Sequence, residues 1–303
     1  MQTSRSAKVQ APATTANLGP GFDSLGIALT LYNRVELQPA AEPRVEVTGQ
    51  GAGELPTDET NLCYRAAQRL AAEAGYSGHW HLRQENSIPL ARGLGSSSAA
   101  IVAGIIAARY ALDYPLEGLE ALALASELEG HPDNVAPALF GGLTVCFEQH
   151  DGTKAAVALD APEGLVAVLA IPDFQVNTQD AREVLPDQVP LPDAVFNTGQ
   201  AAAVVAMLAS GQYQGLADAM RDRLHQPYRA HLVPGMAELI RAAIAAEARG
   251  AALSGSGPTI VALADQQSAR QVQAAMLQAG ADTGRNWAGM ILALDNQGVE
   301  VLT

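Results

Sequence analysis

The segment from Pro89 to Ala99 holds residue types that could bind a phosphate. It places Gly93 and Gly95 in front of three consecutive serines, Ser96 to Ser98. Glycine lets the backbone adopt positive φ and turn its N–H groups inward, and the serines would open a helix whose N-terminal dipole favours an anion. Serine hydroxyls add donors for phosphate or oxygen ligands for Mg²⁺. The segment therefore predicts a phosphate-binding loop.

Lysine is missing from this loop. The chain has only Lys8 and Lys154, and neither follows a glycine-rich turn. A Walker A loop needs the pattern GxxxxGK[ST], and a protein kinase needs a strand lysine, so both classes are excluded. The alternative for the segment is a glycine-rich turn that caps a buried helix, and the three serines favour the phosphate interpretation.

Two further segments carry polar side chains at loops. After a helix that ends near Gly130, the chain could bring Glu127 or Glu129 together with His131, Asp133 and Asn134; the alternative is a helix C-cap followed by a Pro-Asp turn. Farther along, Thr178 and Arg182 are four residues apart and lie on one helix face.

A second glycine-rich segment, residues 251–258, lies between two predicted strands. A tight hairpin would need these residues, and so would a backbone that approaches a ligand or the first glycine loop closely. The sequence leaves these interpretations open.

Composition limits the classes of protein. The chain has 303 residues, is 48% hydrophobic and has a formal net charge of -14. A buried core is expected. The negative net charge argues against a broad nucleic-acid surface, so an anion would be bound locally, by a helix N-terminus or a few arginines. Cys63 and Cys146 suggest core thiols in a reducing compartment. The start has no signal-peptide pattern and no apolar run is long enough for a membrane span, which predicts a cytoplasmic protein that binds neither nucleic acid nor membrane.

Alternation and helical spacing of apolar residues predict an α+β chain. The strand at 44–48 is expected to form a hairpin with the strand before it. A polar segment near residues 148–154 predicts a boundary between domains at 1–154 and 155–303. We expect strands at 9–12, 27–38, 44–48, 79–85, 143–148, 165–171 and 287–295, and helices at 60–75, 96–110, 116–129, 178–185, 194–209, 216–224, 236–249 and 267–280.

Three ordered stretches resemble the motifs of the GHMP kinase superfamily: APATTANLGPGFDSLG, PLARGLGSSSAA and LSGSGPTI. The segments EGHPDNVAPALFGGL and NTQDAREVLP narrow the resemblance to the branch that phosphorylates L-homoserine to O-phospho-L-homoserine in threonine biosynthesis. The resemblance covers nearly the whole chain. It implies a two-domain fold with an N-terminal domain like domain 2 of ribosomal protein S5, a C-terminal ferredoxin-like α/β sandwich, and a possible homodimer.

The resemblance implies that ATP and Mg²⁺ take part in the reaction. Ser97 or Ser98 and a glutamate of the helix expected at 116–129 would hold Mg²⁺. We assign Ser98 and Glu127, with Glu129 as the alternative because the segment before His131 is short. The ATP phosphates would be held by Pro89, Leu90, Ala91, Arg92, Gly93, Leu94, Gly95, Ser96, Ser97, Ser98 and Ala99.

The resemblance also implies a pocket for L-homoserine. Arg182 and Arg229 can supply forked contacts to its carboxylate, and Asp23 can bind its ammonium group. The implied substrate residues are Asn17, Asp23, His131, Asn134, Thr178, Arg182 and Arg229.

Three residues are candidates for the catalytic step: His131, Asp133 and Asn134. Relatives such as mevalonate kinase place an aspartate as base on the attacking hydroxyl, and here that place is matched by Asn134. Asp133 is adjacent, so the base is left open. Two alternative functions are a GHMP kinase for another small alcohol, of mevalonate or shikimate type, and a catalytically silent binding relative.

Overall fold

The computed structural model describes residues 5–302, which form two antiparallel-rich sheets covered by helices. The strands are β1 (Ala7–Ala16), β2 (Leu25–Ala40), β3 (Arg44–Gly49), β4 (His79–Asn86), β5 (Leu143–Glu148), β6 (Lys154–Leu159), β7 (Leu165–Pro172), β8 (Gly250–Leu253), β9 (Ile260–Asp265), β10 (Trp287–Ala293) and β11 (Glu300–Leu302).

The helices are α1 (Leu62–Glu73), α2 (Ser96–Ala111), α3 (Gly118–Glu129), α4 (Val135–Phe140), α5 (Thr178–Glu183), α6 (Leu191–Ser210), α7 (Leu216–Ala219), α8 (Gln226–Arg229), α9 (Met236–Ala245) and α10 (Ala269–Ala281). Most of the helices lie in two runs, α2 to α4 between β4 and β5 and α5 to α9 between β7 and β8, and a 3-10 turn spans Ala230–Leu232.

The first sheet has seven strands in the order β11-β1-β2-β4-β3, and β5 pairs with the start of β2 and with β6. Its helices α1 to α4 share one core with the sheet. Helix α2 is the centre of that core, because its Ala, Ile and Val side chains are buried on nearly every side. A helix that is apolar all round must be enclosed, so its N-terminus is held firmly at the end of the core.

The second sheet has four antiparallel strands in the order β10-β7-β9-β8 and packs against α9 and α10. The chain passes from the first sheet to the second between β6, which pairs with β5, and β7, which pairs with β9. The last strand, β11, returns to pair with β1 in the first sheet. The division at 154/155 stays a prediction. Within the described residues, no helix is long and apolar enough to cross a membrane.

Several predicted elements differ from the structure. The strand at Arg44–Gly49 does not form a hairpin with β2; it pairs in parallel with β4, and α1 makes the crossover between them. Strand β1 continues to Ala16, four residues beyond the strand expected at 9–12. The helix expected at 216–224 ends at Ala219. Strands β6 and β11 and helices α4 and α8 were not predicted.

Candidate active site

A cleft of about 720 Å³ runs between the two sheets and collects most of the predicted site residues. Ser98, Ala99 and Glu127 are not among the residues that line it. The predicted residues that line the cleft are Asn17, Asp23, Pro89, Leu90, Ala91, Arg92, Gly93, Leu94, Gly95, Ser96, Ser97, His131, Asp133, Asn134, Thr178, Arg182 and Arg229.

The first glycine loop ends at the N-terminus of α2, as predicted. Gly95 is the N-cap residue with φ +67°, and Gly93 has φ +72°. A Cβ at Gly95 would lie 1.9 Å from Thr14 Oγ1, and one at Gly93 would lie 2.2 Å from the Ser254 carbonyl oxygen. Both glycines are therefore required by positive φ and by neighbouring protein atoms. No acidic residue occupies the first turn of α2. The positive end of the helix dipole is therefore not neutralised within that turn and can attract an anion.

The second glycine loop packs directly against the first. Ser254 Oγ donates to the Gly93 carbonyl at 2.6 Å and lies 2.9 Å from Thr15 Oγ1. The Gly255 N–H donates to the Ala16 carbonyl at 3.1 Å. The sequence left open whether this segment is a hairpin turn or approaches another backbone closely. The structure shows close approach to the first glycine loop and to β1.

Arg92 supports the loop through main-chain oxygens. Its guanidinium donates to the carbonyls of Pro172 and Asp173, both at 3.0 Å, and to that of Leu90 at 3.3 Å. These contacts tie the loop to the end of β7. The groups of this loop that stay available to an anion are thus mainly backbone N–H groups and serine hydroxyls.

One carboxylate meets the serines of α2, and it belongs to Glu129. Glu129 Oε1 accepts from Ser97 Oγ at 2.5 Å and from Ser98 Oγ at 2.8 Å. Helix α3 ends at Glu129 because Gly130 takes the left-handed conformation, with φ +91°. The Glu127 side chain is instead 67% exposed, with its carboxylate 3.8 Å from Arg69 Nη2. The structure therefore does not bring Glu127 to Ser98.

Asp23 and Arg182 form a bidentate ion pair at one end of the cleft. Arg182 Nη1 and Nη2 donate to the two carboxylate oxygens at 3.0 and 2.9 Å. The pair joins the loop after β1 to α5. Both side chains are about one third exposed, at 34% and 38%, so a charged ligand can reach them.

Arg229 lies beside this pair and is almost completely buried. Its Nε donates to the Ala181 carbonyl at 2.9 Å. Burial and the neighbouring Arg182 cation lower the pKa of Arg229 to about 10, so its guanidinium is still charged at neutral pH. Arg182 and Arg229 thus bring two cations to one wall of the cleft.

Asn17 and Thr178 shape the same end. Asn17 Oδ1 accepts the Asp23 N–H at 3.0 Å, and its Nδ2 donates to the Gly255 carbonyl at 2.9 Å. Thr178 Oγ1 lies 3.4 Å from Ser256 Oγ. Asn17 therefore fixes the loop that carries Asp23, and Thr178 presents a hydroxyl at the cleft wall.

His131, Asp133 and Asn134 form a cluster between the two ends. His131 Nδ1 donates to Asp133 Oδ1 at 2.9 Å, and Asn134 Nδ2 donates to the same oxygen at 3.3 Å. Thr14 Oγ1 donates to Asn134 Oδ1 at 2.8 Å. Burial alone lowers the pKa of His131, but the hydrogen bond and charge of Asp133 outweigh it, so the pKa is raised. Asp133 is itself buried, and its Oδ1 holds both the His131 ring and the Asn134 amide in place.

Two family models match this chain, one in each half. The model of the GHMP kinases N terminal domain matches residues 61–142, and that of the GHMP kinases C terminal domain matches residues 203–282. A homoserine kinase of Microchaete diplosiphon is 44% identical over an alignment of 315 positions, which covers 100% of this chain and 99% of the relative. The chain belongs to the homoserine kinase family.

Further relatives agree with this membership. A homoserine kinase of Moorella thermoacetica is 47% identical, with 84% of this chain and 86% of the relative covered. The crystal structure of homoserine kinase from Cytophaga hutchinsonii has a TM-score of 0.89 at 33% identity and covers 100% of this chain and 99% of that one. The predicted two-domain GHMP kinase fold is confirmed.

In this member of the homoserine kinase family, sequence reasoning missed several cleft residues. Thr14 lies beyond the strand expected at 9–12. Phe22 carried no polar signal, yet its ring lies 5.3 Å from the Arg229 guanidinium carbon and 5.7 Å from that of Arg182. His225 is buried among these groups. Its position four residues before Arg229, on the same turn of chain, is a signal that could have identified it.

The end of the cleft beyond the glycine loop was also missed. It combines apolar surface with amides, and its residues come from the loop before α1, from α1 and from β4. They are Leu55, Pro56, Thr60, Asn61, Leu62, Cys63 and Gln84.

Proposed function

We propose that this chain transfers the γ-phosphoryl group of ATP to the hydroxyl of L-homoserine and forms O-phospho-L-homoserine, an intermediate on the way to threonine. One observation carries the proposal: the carboxylate of Asp23 and the cations of Arg182 and Arg229 share one end of a cleft whose middle is the N-terminus of α2. An amino acid carries both charges, whereas mevalonate has no ammonium group for Asp23 to bind.

The nucleotide would lie along the loop between Pro89 and Ala99. Its phosphates would meet the N–H groups at the start of α2, where the helix dipole stabilises negative charge. Its base would reach the mixed apolar and amide surface near Leu55 and Gln84. Twelve of the sixteen residues of α2 are buried in the core, so the helix is held in place and its N-terminal N–H groups need not rearrange when charge shifts.

Mg²⁺ fits the residues near the loop. The Ser97 and Ser98 hydroxyls and the Glu129 carboxylate converge within hydrogen-bond distance, and hard oxygen donors are the ligands that Mg²⁺ takes in phosphate sites. We therefore propose Ser98 with Glu129, in place of Glu127, as its protein ligands. When bound, Mg²⁺ neutralises negative charge on the phosphates.

At the acceptor end, Asp23 would bind the ammonium group and the two arginines the carboxylate. Asp23 and Arg182 neutralise each other in the structure. When the substrate binds, its ammonium group would pair with Asp23 and its carboxylate with Arg182, so neither side chain would lose a partner of opposite charge. The residues Asn17 and Thr178 would then border the substrate. The homodimer and the domain boundary at 154/155 stay predictions.

The acceptor hydroxyl would be oriented by Asn134, with Asp133 and His131 behind it. The amide of Asn134 cannot accept a proton at neutral pH, and Asp133 Oδ1 already accepts from His131 and Asn134. We propose that transfer proceeds without a protein general base, and that the γ-phosphate or water takes the hydroxyl proton. In a loose transition state the attacking oxygen releases its proton late, so a base is worth little.

The Asp133→Asn variant tests this mechanism. We expect kcat to stay within about tenfold of the parent, whereas loss of a true general base costs about 10²- to 10⁴-fold. Single-turnover rates, with substrate binding measured separately, would check it. A drop above about a hundredfold in a folded variant that still binds both substrates would identify Asp133 as the base.

A coupled assay of ADP release tests the function itself. We expect rapid release that requires both Mg²⁺ and L-homoserine, and background release with mevalonate, with shikimate or with no acceptor. Release that is faster with another small alcohol would assign the chain a different acceptor. A protein that binds ATP without release in the presence of any of these acceptors would support a silent binding relative.

A further inference from the structure

A buried histidine joins the two parts of the proposed acceptor site. The His225 side chain is inaccessible to solvent and lies between Gly19, in the loop that carries Asp23, and Arg229. Its Nε2 is 2.7 Å from the Gly19 carbonyl oxygen, and its Nδ1 is 3.2 Å from Arg229 Nη1. The Phe22 ring stacks on the imidazole with centroids 5.2 Å apart. The contact to Gly19 spans 206 positions of sequence, so only the fold brings these groups together.

The two neighbours determine where the imidazole proton lies. A guanidinium only donates, so Nδ1 must accept from Arg229; a carbonyl only accepts, so Nε2 must carry the hydrogen. Burial and Arg229 lower the pKa of His225, and Asp222 and Asp23 oppose them without reversing the shift. The ring is therefore neutral at pH 7 and is in the Nε2–H form.

Asp222 and Asn197 hold the histidine in this place. Asp222 Oδ2 accepts the backbone N–H groups of His225 and Gln226 at 3.0 and 2.7 Å. Asn197 Nδ2 donates to Asp222 Oδ1 at 2.7 Å and to the Pro20 carbonyl at 3.1 Å. The turn that carries His225 and the loop that carries Gly19 are thus tied together at two points.

The hydrogen bonds that Arg229 donates show how His225 affects the orientation of its guanidinium. Nε donates to the Ala181 carbonyl, and Nη1 donates to His225 Nδ1 and, at 3.3 Å, to the Gly255 carbonyl. Those contacts use three of the five N–H groups of a guanidinium. Among residues 5–302, Nη2 makes no such hydrogen bond, and Arg229 lines the cleft. His225 thus fixes the rotation of a guanidinium whose remaining edge is available to a carboxylate.

We infer that His225 is a positioning residue: through Nδ1 it orients Arg229 toward the substrate carboxylate, and through Nε2–H it holds the loop of Asp23 in register with that arginine. The inference rests on the proposed function. A cation that is oriented before the substrate arrives loses less conformational freedom on binding, so the acceptor should gain affinity while ATP does not.

Two substitutions separate the contacts. In His225→Gln the side-chain amide nitrogen takes the place of Nε2 and keeps the donor to Gly19, but the acceptor for Arg229 is lost. In His225→Asn the side-chain oxygen takes the place of Nδ1 and keeps the Arg229 contact, but the donor to Gly19 is lost. We expect His225→Gln to lower kcat/KM for L-homoserine by about 10- to 100-fold, with the KM for ATP within about twofold. His225→Asn should retain more of the kcat/KM.

A double-mutant cycle with Arg229→Leu then tests whether His225 acts through that arginine. In the Arg229→Leu background, His225→Gln should change kcat/KM by less than about threefold, because the partner that it orients is gone. An equal loss in both backgrounds, or a matching rise in the KM for ATP, would show a general structural role and overturn the inference. A parent that is inert toward L-homoserine would instead reject the proposed function.

A measurement on the parent does not depend on how the variants fold. Nitrogen-15 NMR of labelled histidines at pH 7.5 should show a ring that is protonated at Nε2 and accepts a hydrogen bond at Nδ1. If the His225 ring is protonated at Nδ1, or at both nitrogens, the inference is contradicted directly.

Discussion

Replacing Glu129 by Gln is expected to lower kcat by about a hundredfold or more. The Glu129 carboxylate is the one that accepts from the Ser97 and Ser98 hydroxyls, and the amide that replaces it keeps the size but not the charge. Loss of an anionic ligand for a phosphate-bound cation removes several kcal/mol of charge stabilisation, and each 1.36 kcal/mol is tenfold in rate. The measurement is kcat at saturating ATP and L-homoserine, with the Mg²⁺ dependence of ATP binding followed by calorimetry.

Glu127→Gln is the matched control, because it makes the same chemical change two residues earlier on the same helix. The Glu127 side chain points to solvent and its contact with Arg69 is long, at 3.8 Å, so we expect kcat to change by less than about twofold. If Glu127→Gln is the damaging substitution and Glu129→Gln is mild, the assignment to Glu129 is wrong and the family-based assignment to Glu127 stands.

Removing either arginine of the acceptor end is expected to lower kcat/KM for L-homoserine by about 2 to 4 kcal/mol, or about 30- to 1000-fold. In Arg229→Leu a buried cation that faces the cleft is lost. In Arg182→Leu the partner of Asp23 is lost as well, so part of the effect comes from an unpaired carboxylate. ATP affinity should hardly change in either variant.

The carboxylate dependence separates a substrate clamp from a loss of packing. With L-homoserinol, which replaces the carboxylate by a hydroxymethyl group, the same substitutions should cost much less. Arg223→Leu is the control, since Arg223 lies outside the cleft and pairs with Asp193 at 3.0 Å. Equal losses for L-homoserine and L-homoserinol would remove the clamp from the proposal.

Local pattern was enough to predict the glycine loop before α2 and most elements around it. Helix α2 was expected at 96–110 and spans Ser96–Ala111, because glycines, serines and an unbroken apolar run are all adjacent in the chain. The family was likewise readable, since its three motifs keep their order along the chain. The predicted strands at 143–148 and 165–171 match β5 and nearly match β7.

The sequence pattern did not predict which strands pair with each other. Residues 44–48 have the alternation of a strand, and the alternation is the same whether the strand pairs with β2 or with β4. The crossover through α1 decides for the parallel pairing with β4. Strand β11 likewise joins β1 across almost the whole length of the chain.

At the site, the sequence by itself determined which residue types were available, and the tertiary structure decided which of them meet. An α-helix turns by about 100° per residue, so Glu127 and Glu129 lie on opposite sides of α3, and only packing against α2 selects the side that faces Ser97 and Ser98. The role of His225 depends on Gly19, which is 206 positions away, because a hydrogen bond is set by distance in space and no local pattern encodes that distance.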